Sequence, residues 1–217
     1  MNKFALIAAG AMALGAVATS NPAHAVLTMT ITDSLNNDTI FDDTLTPGEV
    51  NVSGAIGLFF VEVQVSGSNA TVGAPAELLS VSLNLNSFGA DFFTVTITED
   101  NFTNPGGPTG RFHSVVNAST ITGGSYDVQT FVDGVLLLDQ ANISSTDTFE
   151  ALADLPIGSP FSITHVYTVR ATAAGQTISF DLSSRAVPEP ATLALLGVGL
   201  AGLGFAVRRR REDRLDA

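Results

Sequence analysis

Phe59-Phe-Val-Glu-Val-Gln-Val-Ser66 decides the fold. Phe59, Val61, Val63 and Val65 are interrupted at every second position by Phe60, Glu62, Gln64 and Ser66. A period of two puts one set on each face of a pleated strand. The pattern recurs outward in both directions. Upstream, Leu27, Met29 and Ile31 alternate with Thr28, Thr30 and Thr32. Downstream, Leu79, Val81, Leu83 and Leu85 alternate with Ser80, Ser82, Asn84 and Asn86. Phe93, Val95 and Ile97 then alternate with Thr94, Thr96 and Thr98, and Ile178, Phe180 and Leu182 with Ser179, Asp181 and Ser183.

Turn residues divide these runs. Asp133-Gly134 between residues 126–132 and 135–139 suits a tight primed hairpin. Gly106-Gly107-Pro108 and Gly123-Gly124 mark further turns. Thr148–Leu155 reads differently, either as a short helix or as an irregular loop. As a helix it would be capped by Asp147, with Phe149, Leu152 and Ala153 on one face. Many short half-polar strands without an internal repeat define an all-β class. The expected fold is an antiparallel β-sandwich, of which a jelly roll is one form, flanked by a signal peptide and a C-terminal transmembrane helix.

The two ends are not sandwich sequence. Lys3 precedes an apolar run over residues 4–17, and Ala23-His24-Ala25 offers a small-x-small cleavage site at Ala23 and Ala25. The run is too short for a span of about 20 residues, so residues 1–25 read as a signal peptide for signal peptidase. At the other end, residues 191–207 carry no charge. As a helix they would reach roughly 25 Å, at the short end for a bilayer core of about 30 Å. Arg208, Arg209, Arg210 and Arg211 stop the segment on the cytoplasmic side, since burying each at mid-depth costs about 2.5 kcal/mol or more. Pro188-Glu189-Pro190 lies just outside it, held extended by its two prolines. The domains are therefore residues 1–25, 26–187 and 188–217.

Val187-Pro188-Glu189-Pro190-Ala191-Thr192, a Gly-rich apolar helix and an Arg cluster together resemble the PEP-CTERM sorting signal. The resemblance covers about 25 residues of the chain and is specific in order and spacing. It implies recognition of Pro188, Glu189, Pro190 and the arginines by an exosortase, an integral membrane enzyme thought to remove the tail. It also implies transient anchorage in the inner membrane, and association with bacteria that make exopolysaccharide and biofilm matrix.

Residues 26–187 contain Arg111, Arg170 and Arg185 but no Lys, against 17 acidic residues, a formal charge of −14. Such a surface repels phosphate, which excludes nucleic acid as a partner, and it repels anionic lipid headgroups. The absence of cysteine excludes thiol catalysis, zinc-thiolate sites and iron–sulfur clusters. His113 reads as a surface residue. His165, sharing a face with Ile163 and Tyr167, reads as a partly buried, satisfied histidine rather than a base. No hydrolase elbow or metalloprotease motif is present. Oxygen ligands concentrate at Asp33, Asp38, Asp42 and Asp43, making calcium the candidate ion there; a solvated acidic loop explains the same residues. Asn-x-Ser/Thr triplets such as that at Asn117 mark surface. A sugar-stacking platform is disfavoured, because the chain has no Trp and its Phe residues mostly take inward positions.

The expected function is non-enzymatic and needs no cofactor: an exported, exosortase-processed protein of the cell surface or extracellular matrix, with exopolysaccharide as a candidate partner. The competing readings are a calcium- or carbohydrate-binding adhesive module and a secreted hydrolase with an unrecognised site.

Overall fold

The alternating runs become twelve strands in a computed structural model that describes residues 26–35, 37–42, 48–68, 76–102, 110–158 and 160–187. They are β1 (Leu27–Asp33), β2 (Asp38–Asp42), β3 (Glu49–Ile56), β4 (Phe59–Ser68), β5 (Glu77–Ser87) and β6 (Asp91–Phe102). β7 (Gly110–Ile121), β8 (Ser125–Val132), β9 (Val135–Ile143), β10 (Thr148–Leu155), β11 (Phe161–Ala171) and β12 (Thr177–Ala186) follow. Sheet A has the order β2-β1-β6-β11-β8-β9 and sheet B the order β10-β7-β12-β5-β4-β3. Every pairing is antiparallel.

The pairing order identifies a jelly roll. β5 pairs with β12, β6 with β11, β7 with β10 and β8 with β9. Those four pairs are one long two-stranded ribbon, folded at the β8–β9 hairpin and rolled up. The β8–β11 and β7–β12 ladders close the roll. Two N-terminal hairpins extend it, β1–β2 on the free edge of β6 and β3–β4 on the free edge of β5.

Inward positions fill the space between the sheets. Leu27, Met29, Phe59, Val61, Phe93, Val95, Ile97, Ile178, Phe180 and Leu182 are all at most 2% exposed, so their alternation carries the core as expected. Tyr126 stacks on Phe180 at 4.4 Å between ring centres, and Phe180 meets Tyr167 at 5.0 Å. Strand β5 departs from simple alternation. Leu83 and Leu85 are buried, but so is Leu78, which has the opposite parity. The neighbouring ladder shifts register between Phe180 and Leu182, and an irregularity of that kind turns the strand over.

The Asp133-Gly134 hairpin is present, with φ of 49° and 75° and Val132 opposite Val135. Gly123-Gly124 turns the chain between β7 and β8 at φ of 89° and 76°; a Cβ on Gly124 would lie 2.5 Å from the Arg170 carbonyl oxygen. The expected helix or loop at Thr148–Leu155 is instead strand β10. Phe149, Ala151, Ala153 and Leu155 turn inward while Thr148, Glu150, Leu152 and Asp154 face solvent, a period-two pattern that fits as well as the helical one. Pairing of all eight β10 residues with residues 110–117 of β7 decides between them, because eight residues do not hold a helix alone. Asp147 still caps the start, its carboxylate accepting the Thr148 N–H at 2.8 Å.

Register fixes the two poles of the sandwich. Leu27 lies opposite Glu99, and Phe102 opposite Phe161 at the start of β11. β12 runs antiparallel to β5 and returns from the far turn over residues 172–176, so Ala186 emerges at the pole where Val26 enters. At the opposite pole three turns are tied together. The Phe88 N–H donates to the Leu58 carbonyl at 2.7 Å and the Leu58 N–H to Asp91 Oδ2 at 3.2 Å. A hydrogen bond from the Ser34 side chain is the largest of the effects holding the Asp91 carboxyl below its ordinary range.

Candidate functional site

The outer face of sheet B carries an open groove of about 300 Å³ across β3, β4 and β5. Asn51, Ser53, Glu62, Gln64 and Asn84 line it. Strand parity puts them there: residues 60, 62 and 64 are the outward set of β4, beside residues 51, 53 and 55 of β3. Glu62 lies between Ser53 and Asn84, and Gln64 opposite Asn51. Phe60 continues the row, 38% exposed between Ala55 and Asn86. A neighbouring strand orients the amides. Ser179 Oγ donates to Asn84 Oδ1 at 2.6 Å, and Thr177 Oγ1 to Asn86 Oδ1 at 2.9 Å. Each bond uses the amide oxygen and leaves the NH₂ as a donor. The result is a ring face followed by amide donors, amide acceptors and one carboxylate.

The outer face of sheet A is chemically different. Thr28, Thr30 and Thr32 stand beside Thr98, Thr96 and Thr94, which stand beside Thr164, Val166 and Thr168. Several of these hydroxyls satisfy one another: Thr94 bonds Thr168 at 3.0 Å, and Thr98 bonds Thr164 at 3.1 Å. Such a face presents methyl groups and mutually paired hydroxyls, with fewer groups turned toward a ligand.

Of the expected acidic residues, Asp38 and Asp42 do not converge. The Asp33 carboxylate accepts the Leu35 N–H at 2.9 Å, the Asn37 N–H at 2.8 Å and Asn37 Nδ2 at 2.9 Å. These bonds close the β1–β2 turn and, with the Asn37 side chain leading, hold the Asp33 carboxyl below its ordinary range. Asp38 Oδ1 accepts the Thr32 hydroxyl at 2.7 Å. Asp38 lies opposite Thr32 and Asp42 opposite Thr28, about 13 Å apart along the strand at its usual rise, so one ion cannot take both. Among the described residues no three of His, Asp and Glu are placed to hold a metal ion. Asp43 lies outside the described residues. So do Ala23 and Ala25 of the signal peptide, and Pro188, Glu189, Pro190, Arg208, Arg209, Arg210 and Arg211 of the tail. No helix among the described residues is long and apolar enough to cross a membrane.

His113 faces outward on β7, 3.4 Å from Glu150 Oε2. His165 is fully buried rather than partly so. Its Nε2 lies 2.9 Å from Ser184 Oγ, Ser184 donates to Ser114 at 2.9 Å, and Ser114 meets Thr130 at 3.1 Å. Since Ser184 donates its own proton onward, it accepts from His165, which fixes the Nε2–H tautomer. Burial alone pushes the imidazole down to about 3. The histidine is thus neutral and sealed between the sheets. A Ser–His pair with no exposed atom has no route to a substrate.

The groove is the arrangement that alternation alone underrates. Its signal is the doublet Phe59-Phe60, which must turn one ring outward on a strand; Phe60 is 38% exposed.

These features define an all-β jelly roll whose last strand runs directly into the chain's C-terminal tail. Residues 186–211 match the PEP-CTERM protein-sorting motif; the chain carries that motif, which implies export, a C-terminus held at the membrane before processing, and exosortase as the processing partner. No curated protein matches the chain. Among solved structures it is similar to TmCBM61 in complex with β-1,4-galactotriose, at 12% identity over 59% of this chain and 90% of that one, with a TM-score of 0.31. A family 35 carbohydrate binding module from Clostridium thermocellum is similar at 12% identity over 62% and 96%, with a TM-score of 0.26. The GH31 α-xylosidase from Xanthomonas citri is similar at 11% identity over 82% and 19%, with a TM-score of 0.31. Likenesses this remote do not bear on ligand or activity.

Proposed function

We propose that this is an exported protein of the cell surface or extracellular matrix, held at the inner membrane by its tail and then processed by an exosortase, with a non-catalytic sandwich. The sorting motif over residues 186–211 carries this reading. Pole geometry supports it. Val26 and Val187 leave the sandwich at the same end, so a precursor with apolar segments beyond both can stand on one membrane without distortion. Mass spectrometry of the protein from cells with and without the processing enzyme tests it. The expected mature form starts at Val26 and ends within Pro188–Glu189–Pro190. Intact residues 191–217 in the extracellular form would overturn it.

A second reading adds a neutral glycan as ligand, favoured by the groove beside Phe60. Sugars want a ring face flanked by amide donors and acceptors, and the surrounding negative charge disfavours anionic polymers. Phe60→Ala is expected to weaken binding of a neutral oligosaccharide about three- to tenfold, the worth of one aromatic contact. Asn84→Ala should weaken it similarly, and Thr96→Ser on the other sheet should leave it unchanged. A glycan array followed by calorimetry on the wild-type chain and these variants measures this. Equal affinities across all of them would remove the groove from consideration.

A further inference from the structure

We propose that the folded sandwich sets the N-terminal limit of tail processing: the enzyme can use no residue before Pro188, so Val187 stays on the product and recognition lies wholly on the C-terminal side of that limit. This rests on the reading that the tail is processed. The sorting motif begins at Ala186, yet its first two residues are already hydrogen-bonded to the sandwich. β12 is an interior strand, paired with β5 as far as Arg185 and with β7 as far as Ala186. The Ala186 N–H donates to the Ala76 carbonyl at 2.7 Å, and the Val187 N–H to the Arg111 carbonyl at 2.7 Å. No free linker separates the domain from Pro188.

An enzyme that binds its substrate as an added strand needs main-chain groups that are not already bonded. On this chain those groups are committed as far as the Val187 N–H. Freeing them means peeling β12 from two neighbours at once. That would expose Leu182, which is 1% exposed, and Ser184, which is fully buried and bonded to both His165 and Ser114. Interior strands of this kind open only with the whole domain, whereas cleavage of a native protein follows local opening. The prolines and the apolar segment beyond them are therefore what remains to be read.

Two measurements on the full-length chain test this. In detergent, brief digestion with proteinase K should leave a resistant fragment whose C-terminus, by intact mass, lies at or after Val187. In cells, a Gly-Ser-Gly-Ser-Gly-Ser insertion between Val187 and Pro188 should be retained on the processed product, which becomes heavier by the mass of the insert. In the insertion variant proteinase K should cut within the new linker. A resistant fragment or a cellular product ending before Val187 would overturn the proposal, and so would loss of the insert from the product. An uncut tail in cells would instead defeat the processing reading, and the proteinase K fragment alone would then decide whether the sandwich protects residues through Val187.

Discussion

Phe93→Ala should lower the free energy of unfolding by about 3–5 kcal/mol, while Phe92→Ala, one residue away, should change it by about 0.5 kcal/mol or less. The side chains are identical and the backbone is continuous, so the difference isolates which face each ring occupies. Phe93 is fully buried and meets Phe59 edge-on at 4.9 Å. Those two rings belong to different sheets, β6 in sheet A and β4 in sheet B, so truncating Phe93 opens a cavity across the sandwich. Phe92 points out of sheet A opposite Arg170 and is 47% exposed. A domain of this size is stable by about 5–15 kcal/mol, so the inner substitution removes a large share. Urea denaturation of both variants gives the answer, with the slope of unfolding free energy against denaturant unchanged if both keep the native state. Comparable losses at the two positions would mean that β6 is turned over or that the sheets are not packed as described.

The same face-by-face logic explains what could be read from sequence. Alternation at residues 27–31, 59–65, 93–97 and 178–182 is local, so strand and inward face followed from residue types alone. The Asp133-Gly134 turn is equally local, as is the tail motif, which is a linear signal rather than a folded one. Three things were not local. The jelly-roll pairing of β5 with β12 joins residues about a hundred apart, and nothing in either strand names the other. The strand at Thr148–Leu155 carries a pattern that serves a helix or a strand, and only β7 alongside decides. Leu78 is buried because the ladder beside it slips, which composition cannot foresee. The groove lies between these cases. Its residues were visible as the polar half of each alternation, but their convergence depends on β3, β4 and β5 lying side by side.

Lowering the pH from 7 to 5 should cost the wild-type protein about 2 kcal/mol more stability than it costs the His165→Gln variant. The sign follows from burial. In the unfolded chain an imidazole titrates at about 6.5, whereas between the sheets it stays neutral down to about 3 because no water reaches the charged form. Above about pH 6.5 both states are neutral and the histidine adds no pH dependence. Below that value the unfolded chain takes a proton that the native protein refuses, so stability falls progressively until the pH nears 3. Gln keeps an N–H donor for Ser184 without a titrating group, which preserves the Ser184–Ser114–Thr130 chain. All other residues are the same in the two proteins, so the comparison isolates position 165. The readout is therefore the difference between two pH profiles of unfolding free energy, which stands even if the variant is less stable throughout. Parallel profiles between pH 7 and 5 would show that His165 accepts a proton in the folded state, and would contradict its sealed position between the sheets.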